Sequence, residues 1–158
     1  MKIPVYEPLF QGNEKRYLQQ CIDSNWISSE GYFVQKFEEE FAKWSRNKYA
    51  IAVCNGTAAL ETAIWATEIT QIYIPTLTII SCLLAPLRLD IDIKFYENNL
   101  IQKHIQVCNT NIMRCHLFGH FNNIITHNII IDDASQYWQP FKVKDVACYS
   151  LYANKLIT

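Results

Sequence analysis

This sequence of 158 residues has neither a long hydrophobic run nor an excess of charge of one sign. No apolar stretch approaches the roughly 20 residues that a transmembrane helix needs, and the N-terminus lacks the continuous apolar core of a signal peptide. The formal net charge of −1 gives no electrostatic reason to expect nucleic acid or an anionic membrane as a partner. We therefore expect a cytoplasmic protein that binds neither.

Closely spaced cysteine pairs are also missing, since none of the six cysteines belongs to a CxxC motif. Several lie inside apolar, strand-like stretches. We interpret them as small buried hydrophobic residues in a reducing compartment, and we predict no metal site. The alternative is a zinc site built from Cys108, Cys115 and His116, which lacks a second close pair of ligands.

Glycine and proline are scarce, with four and five residues, so few turn signals divide the chain and no segment resembles a linker. Half of the residues are hydrophobic and 18% are charged, which is a globular composition. Length and composition together predict a single domain over residues 1–158.

What the sequence does contain is a clear helical stripe near its start. Phe33, Phe37, Phe41 and Trp44 recur at helical spacing opposite a charged face, which predicts an amphipathic helix. An earlier helix is predicted over residues 13–24.

The rest of the chain alternates strand-like and helical stretches. Strands are predicted at 49–54 and 71–75 and in the stretches DIKFY, NIMRC, NIIID and VACYS. Helices are predicted at 57–67 and 79–89, the second kinked or ended by Pro86. Apolar strands separated by helices indicate an α/β fold with a mostly parallel sheet and flanking helices.

The stretch CNGTAAL lies where a predicted strand ends and a helix begins. Asn55, Gly56 and Thr57 would expose free backbone N–H groups there, and the helix dipole would add to their attraction for a phosphate. The alternative is an ordinary turn with Thr57 as the N-cap.

Two further motifs also follow predicted strands. In NIIIDDASQYW, Asp132 and Asp133 point to opposite sides, so one can face a ligand while the other is structural, and Gln136 lies close by. A helix-capping role is the alternative. In VACYSLYANK, Ser150 and Lys155 come after a strand, and a surface lysine is the alternative to an amine in a site.

Histidines flank the turn in RCHLFGH. We interpret His116 and His120 as hydrogen-bonded residues near a sheet edge rather than as ligands.

Taken together, the motifs supply the groups that pyridoxal 5′-phosphate requires. The cofactor needs a carboxylate that keeps its pyridine nitrogen protonated, donors for its phosphate, and a lysine amine for covalent attachment. All three follow strands of one predicted sheet.

The same motifs resemble the DegT/DnrJ/EryC1/StrS sugar aminotransferases, which have the type I aspartate-aminotransferase fold. The similar stretches are IPVYEPLF, SNWISSEG, FEEEFAKW, CNGTAAL, IPTLT, CHLFG, IDDASQ and CYSLYANKLIT. They run in the family's order along the whole chain. The resemblance therefore implies the N-terminal, cofactor-binding part of such an enzyme, a truncated large domain without its small C-terminal domain.

The resemblance also implies roles for individual residues. Lys155 would carry the cofactor covalently, Asp133 would pair with the pyridine nitrogen, and Gln136 would lie near the 3-hydroxyl. Thr57 and Ala58 would bind the phosphate.

Two further positions complete the implied site. Ser150 would help to bind the phosphate, and Ile79 stands where the family usually has an aromatic residue that stacks on the cofactor ring. An aliphatic side chain there would weaken the stacking.

The activity implied by the resemblance is transfer of an amine from glutamate to a keto-deoxy nucleotide sugar, with Lys155 carrying the proton. A related dehydratase branch has histidine in place of the lysine, so Lys155 favours transamination. Relatives act as homodimers, which makes a second copy or a complementing C-terminal chain the expected partner.

Two departures from the family leave other readings open. The segments on either side of CHLFG look compressed, and HFNNIITHN is too short for an ordinary crossover helix. The family's Gly-Glu-Gly-Gly stretch and small domain have no counterpart here. The alternatives are a non-catalytic binding domain, half of a split enzyme, or a decayed and inactive remnant.

Overall fold

The computed structural model describes Ile3, Glu7 and residues 9–97 and 109–155. The chain divides into two compact units, residues 1–52 and 53–158, which are described separately. The single domain expected from length and composition stays a prediction.

The first unit contains the two predicted helices. Helix α1 spans Glu14–Asp23 and helix α2 spans Tyr32–Ser45. The aromatic stripe of α2 is continuous, because the ring of Phe41 lies 5.3 Å from that of Phe37 and 5.1 Å from that of Trp44.

The strand predicted at 49–54 is wrong. These residues form no strand, and no described strand pairs with them. The side chains of Tyr49 and Ile51 are 73% and 77% exposed, so no described residue covers this side of the segment. The backbone N–H of Ala52 instead donates to the carboxylate of Glu38 at 2.8 Å.

The second unit is built on a five-stranded sheet whose strands all run parallel, as predicted. Its order in space is β2-β1-β3-β4-β5. The strands are β1 Gln71–Pro75, β2 Asp92–Tyr96, β3 Ile112–Cys115, β4 Ile130–Asp133 and β5 Val146–Cys148.

Two helices accompany this sheet. Helix α3 spans Gly56–Ala66, and helix α4 spans Ile80–Arg88 and ends two residues after Pro86. Between β3 and β4 the chain forms only the short 3-10 turn Leu117–Gly119, in agreement with the predicted lack of a full crossover helix. Among the described residues, no helix has the length and apolar character to cross a membrane.

The two faces of the sheet have different coverings. On the first, which we call the helix face, Met113, Cys115 and Ile131 pack into one buried cluster with side chains of α3 and α4. Residues alternate along a strand, so Arg114 and Asp132 lie on the opposite face. Loop residues cover it, including Ile124, whose carbonyl accepts from Arg114 Nη1 at 3.1 Å. We call this the loop face.

Candidate active site

A pocket of about 220 Å³ lies where α3 begins and where β4 and β5 end. Five of the seven predicted site residues line it: Thr57, Ile79, Asp133, Ser150 and Lys155. This is the carboxyl edge of a parallel sheet, where α/β folds bind their ligands. Ala58 and Gln136 are not among the lining residues.

The start of α3 supplies hydrogen-bond donors to this pocket. The described residues include no partner for the backbone N–H groups of Gly56 and Thr57, which are among the first of the helix. The Thr57 hydroxyl donates to Ser81 Oγ at 3.2 Å. The two free N–H groups at the N-terminus of α3, with the hydroxyls of Thr57 and Ser81 beside them, form a favourable environment for an anion.

Asn55, not Thr57, is the N-cap of α3, so the alternative interpretation of Thr57 as the cap is wrong. The Asn55 side chain accepts from the backbone N–H of Ala58 at 2.9 Å. An Asn side chain reaches the third residue of the helix readily, which explains the position of the cap. The Ala58 N–H that was predicted to bind phosphate is therefore already engaged.

Gly56 allows the loop after β5 to approach this helix terminus. A Cβ atom at position 56 would lie 3.1 Å from Ser150 Cβ and 3.4 Å from Ser150 Oγ. Ser150 is itself buried, and its Oγ accepts from the backbone N–H of Tyr152 at 3.3 Å. The absence of a side chain at Gly56 brings the hydroxyl of Ser150 next to the free N–H groups of α3.

Asp133 presents its carboxylate to the pocket although it is only 4% exposed. Oδ1 accepts from the backbone N–H of Ser135 at 3.0 Å, and Oδ2 accepts from the thiol of Cys82 at 2.9 Å. Neither donor is charged.

Asp132 lies on the loop face and is completely buried. Arg114 donates to both of its oxygens, from Nε at 2.6 Å and from Nη2 at 2.7 Å. His116 Nδ1 accepts from the backbone N–H of Asn122, so its Nε2 carries the hydrogen and donates to Asp132 at 3.0 Å. One carboxylate of the pair is thus structural and the other faces the pocket, as the alternation predicted.

Sequence reasoning missed Arg114. A charged residue inside the apolar stretch NIMRC was the available signal, since a buried charge requires a partner. The partner is set by register, because Arg114 pairs directly with Asp132 on the next strand.

His116 is hydrogen-bonded, as interpreted, but the predicted location near a sheet edge is wrong. It follows β3, which is the central strand of the five. Its ring is 1% exposed and stacks on Phe121 with centroids 4.7 Å apart.

Of the two remaining predicted residues, Ile79 lines the pocket, whereas Gln136 supports the turn that contains Phe118. Gln136 Oε1 accepts from the backbone N–H of Phe118 at 2.9 Å. Phe118 has a φ of 54°, so this bond supports a residue in the left-handed region. Ile79 is the N-cap residue of α4 and lines the pocket.

The cysteines follow the interpretation in part. Cys82, Cys115 and Cys148 are buried, whereas Cys54 is exposed and Cys21 is half-buried. Burial and the neighbouring Asp133 raise the pKa of Cys148. The hydrogen bond with Cys115, followed by burial and the neighbouring Asp133, raises the pKa of Cys82. Of the alternative zinc ligands, Cys108 lies outside the described residues.

Comparison with known proteins identifies the family to which these features correspond. The profile of the DegT/DnrJ/EryC1/StrS aminotransferase family matches residues 8–136. That range includes Thr57, Ile79 and Asp133 of the pocket.

Two curated relatives are both GDP-perosamine synthases. The protein from Escherichia coli O157:H7 is 34% identical over 183 aligned positions, and that from Vibrio cholerae is 32% identical over 183. Each alignment covers 99% of this chain and 50% of the relative, so the chain spans about half the length of the curated relatives it matches. Since 183 positions exceed the 158 residues of the chain, the relatives carry residues that it lacks.

Solved structures share the fold. A sugar aminotransferase of Streptococcus pneumoniae in its PLP form superposes with a TM-score of 0.84 at 14% identity, over 100% of this chain and 51% of that one. A 3-amino-5-hydroxybenzoic acid synthase superposes with a TM-score of 0.79 at 22% identity, over 99% and 48%.

Proposed function

The chain belongs to the DegT/DnrJ/EryC1/StrS aminotransferase family, and from that premise we propose that its pocket binds pyridoxal phosphate for amino transfer to a nucleotide-linked sugar. One observation carries the proposal. A lysine, a buried carboxylate and the N-terminus of a helix line the same pocket, although they come from three separate parts of the sequence.

The residues present fit this cofactor. Its phosphate is an anion, and the close approach of Gly56 to Ser150 creates a niche of N–H and hydroxyl donors that a Cβ would fill. The pyridine ring requires a carboxylate. Within the part of the chain that the structure describes, Asp133 accepts bonds from neutral donors only, which leaves its negative charge available to a protonated nitrogen.

When bound, the cofactor supplies an electron sink for the carbon that loses or gains the amine. Lys155 Nζ would hold the cofactor in place and, once released, would move the proton to and from the reacting carbon. Asp133 would hold the proton on the pyridine nitrogen. Ile79 would cover one side of the ring, and Thr57 and Ser150 would orient the phosphate.

The substrate class that we propose is a GDP-linked keto-deoxy sugar, with glutamate as the amine donor. The support is that two relatives aligned over the whole chain are named for the synthesis of a GDP-linked amino sugar. We further propose that a second copy of the chain, or a complementing chain, completes the sugar-binding side of the pocket.

A spectroscopic titration tests the cofactor site. Pyridoxal phosphate added to the purified protein should produce a visible absorbance band that glutamate then bleaches. Lys155→Ala should abolish the band. Lys142→Ala is the matched control, because Lys142 is exposed and does not line the pocket. Identical spectra for wild type and Lys155→Ala would refute the attachment.

Bleaching separates the two parts of the proposal. A Lys155-dependent band that glutamate leaves unchanged would retain cofactor binding and refute amino transfer by this chain, the outcome expected of a non-catalytic binding domain.

A further inference from the structure

Three side chains of metal-binding type meet beneath the pocket. Cys82 of α4, Cys115 of β3 and Asp133 of β4 place one sulfur or oxygen atom each within 4.8 Å of the others. The two sulfurs are 3.4 Å apart, and Cys82 Sγ lies 2.9 Å from Asp133 Oδ2. All three residues are buried, with exposures of 0%, 1% and 4%.

A fourth polar atom borders the cluster. Thr78 Oγ1 lies 2.9 Å from Cys115 Sγ, and Thr78 is half-buried. The cluster therefore offers two sulfurs, a carboxylate oxygen and a hydroxyl. Apolar packing alone does not require such a group, because valine or alanine would fill the same positions without polar atoms.

Contrary to the expectation of no metal site, we propose that Cys82, Cys115 and Asp133 form a binding site for one thiophilic divalent metal ion of the zinc class. Soft thiolate ligands select such ions, and zinc is usually held by four ligands in a tetrahedron. Thr78 Oγ1 or a water molecule would occupy the fourth position.

The geometry requires only a small expansion. With Zn–S bonds of about 2.3 Å, tetrahedral sulfurs lie about 3.8 Å apart, a few tenths of an ångström beyond the separation seen here. The three ligands belong to three different elements, so a bound ion would join α4 to the two strands.

The step is balanced by release of protons. Each thiol loses one proton to solvent as its sulfur bonds the ion, and no electrons are transferred. Two thiolates and one carboxylate carry three negative charges against two positive charges, which leaves a net charge of −1 in the site.

A consequence follows for the cofactor, and it rests on the proposed function. Asp133 would serve either the metal ion or the pyridine nitrogen, because both would require the single negative charge of its carboxylate. The two ligands should therefore compete.

Cobalt(II) titration of the full chain without pyridoxal phosphate tests the site. One equivalent should produce a near-ultraviolet thiolate-to-cobalt charge-transfer band that zinc(II) then abolishes. Cys82→Ser and Cys115→Ser should each lose most of the band. Cys148→Ser should keep it, since Cys148 is equally buried but lies outside the cluster.

The cobalt titration of the wild-type protein tests the proposal even if a serine variant fails to fold. A wild-type titration without a sulfur band, or cobalt bound without sulfur contact as an adventitious ion only, overturns the proposal. So does a band that persists in both folded serine variants.

Competition is then measured separately. Zinc(II) added to the protein with bound pyridoxal phosphate should lower the Lys155-dependent absorbance in the wild type but not in Cys115→Ser. If zinc(II) leaves this absorbance unchanged although the cobalt band is present, the shared use of Asp133 is refuted. If metal-free protein shows no cofactor band with pyridoxal phosphate, the proposed function is refuted instead.

Discussion

The loop face and the helix face of the sheet present neighbouring carboxylates in opposite environments. Asp132 on the loop face is enclosed by a guanidinium and an imidazole, with every contact made inside the protein. Asp133 on the helix face borders a pocket, and its donors among the described residues are all neutral. Adjacent residues of β4 thus carry one charge that is enclosed by a guanidinium and an imidazole and one charge that borders a pocket.

Alternation along β4 gives the two carboxylates different roles. A charged partner neutralises Asp132, and its loss would leave Arg114 buried and unpaired. The described residues give Asp133 no such charged partner, which leaves its charge free for the cation or protonated ring that we propose. The following predictions test this division, from the largest expected effect to the smallest.

Removing the loop-face carboxylate should have the largest effect on stability. Asp132→Ala leaves the buried guanidinium of Arg114 without its counterion, which should lower the free energy of unfolding by about 3–5 kcal/mol. Urea denaturation followed by circular dichroism measures the loss. The double variant Arg114→Met, Asp132→Leu should recover most of it. A loss below about 1 kcal/mol for Asp132→Ala would mean that the pair is not structurally important.

Filling the niche beside Ser150 should have a smaller effect on stability and a clear one on the pocket. Gly56→Val places a side chain 3.1 Å from Ser150 Cβ, and such overpacking costs about 1–3 kcal/mol. It should also weaken the binding of pyridoxal phosphate. Thr62→Val is the control, because it puts valine at an exposed position of the same helix. Equal cofactor affinity in both variants would exclude the niche as the phosphate site.

Loss of the α3 cap should cost less again. Asn55→Ala removes the acceptor of the Ala58 N–H, and the expected loss in the free energy of unfolding is about 1 kcal/mol. Asn55→Asp retains an acceptor and should stay near the wild-type value. If both variants unfold at the same urea concentration, the cap does not contribute.

An exposed ion pair on the helix side should contribute least. Arg88 Nη1 lies 2.7 Å from Glu61 Oε1, but their side chains are 63% and 27% exposed. Arg88→Ala should therefore change the free energy of unfolding by at most about 1 kcal/mol. The contacts of Arg114 with Asp132 are equally short but buried, so similar losses for the two pairs would contradict an effect of burial.

Much of this arrangement could be predicted from the sequence because it depends on local patterns. The strand at 71–75 and the helix of α2 follow directly from the periodicity of their apolar residues. The opposite directions of Asp132 and Asp133 follow from the period of a strand.

Other features depend on contacts between distant residues, and local patterns do not contain them. Residues 49–54 have the apolar alternation of a strand but no partner in the described sheet, so no strand forms. The pairing of Arg114 with Asp132 requires the register of β3 and β4, and the approach of Cys82 to Asp133 requires the packing of α4 on the sheet.

Mapping the lysine that carries the cofactor tests the central claim most directly. The protein is loaded with pyridoxal phosphate, reduced with borohydride, digested, and analysed by mass spectrometry. We predict a stable adduct on Lys155. The adduct should be lost in Asp133→Ala, whose pocket has no carboxylate for the pyridine nitrogen, and it should be retained in Lys142→Ala. An adduct spread over surface lysines, or none on Lys155, would contradict the assignment of this pocket.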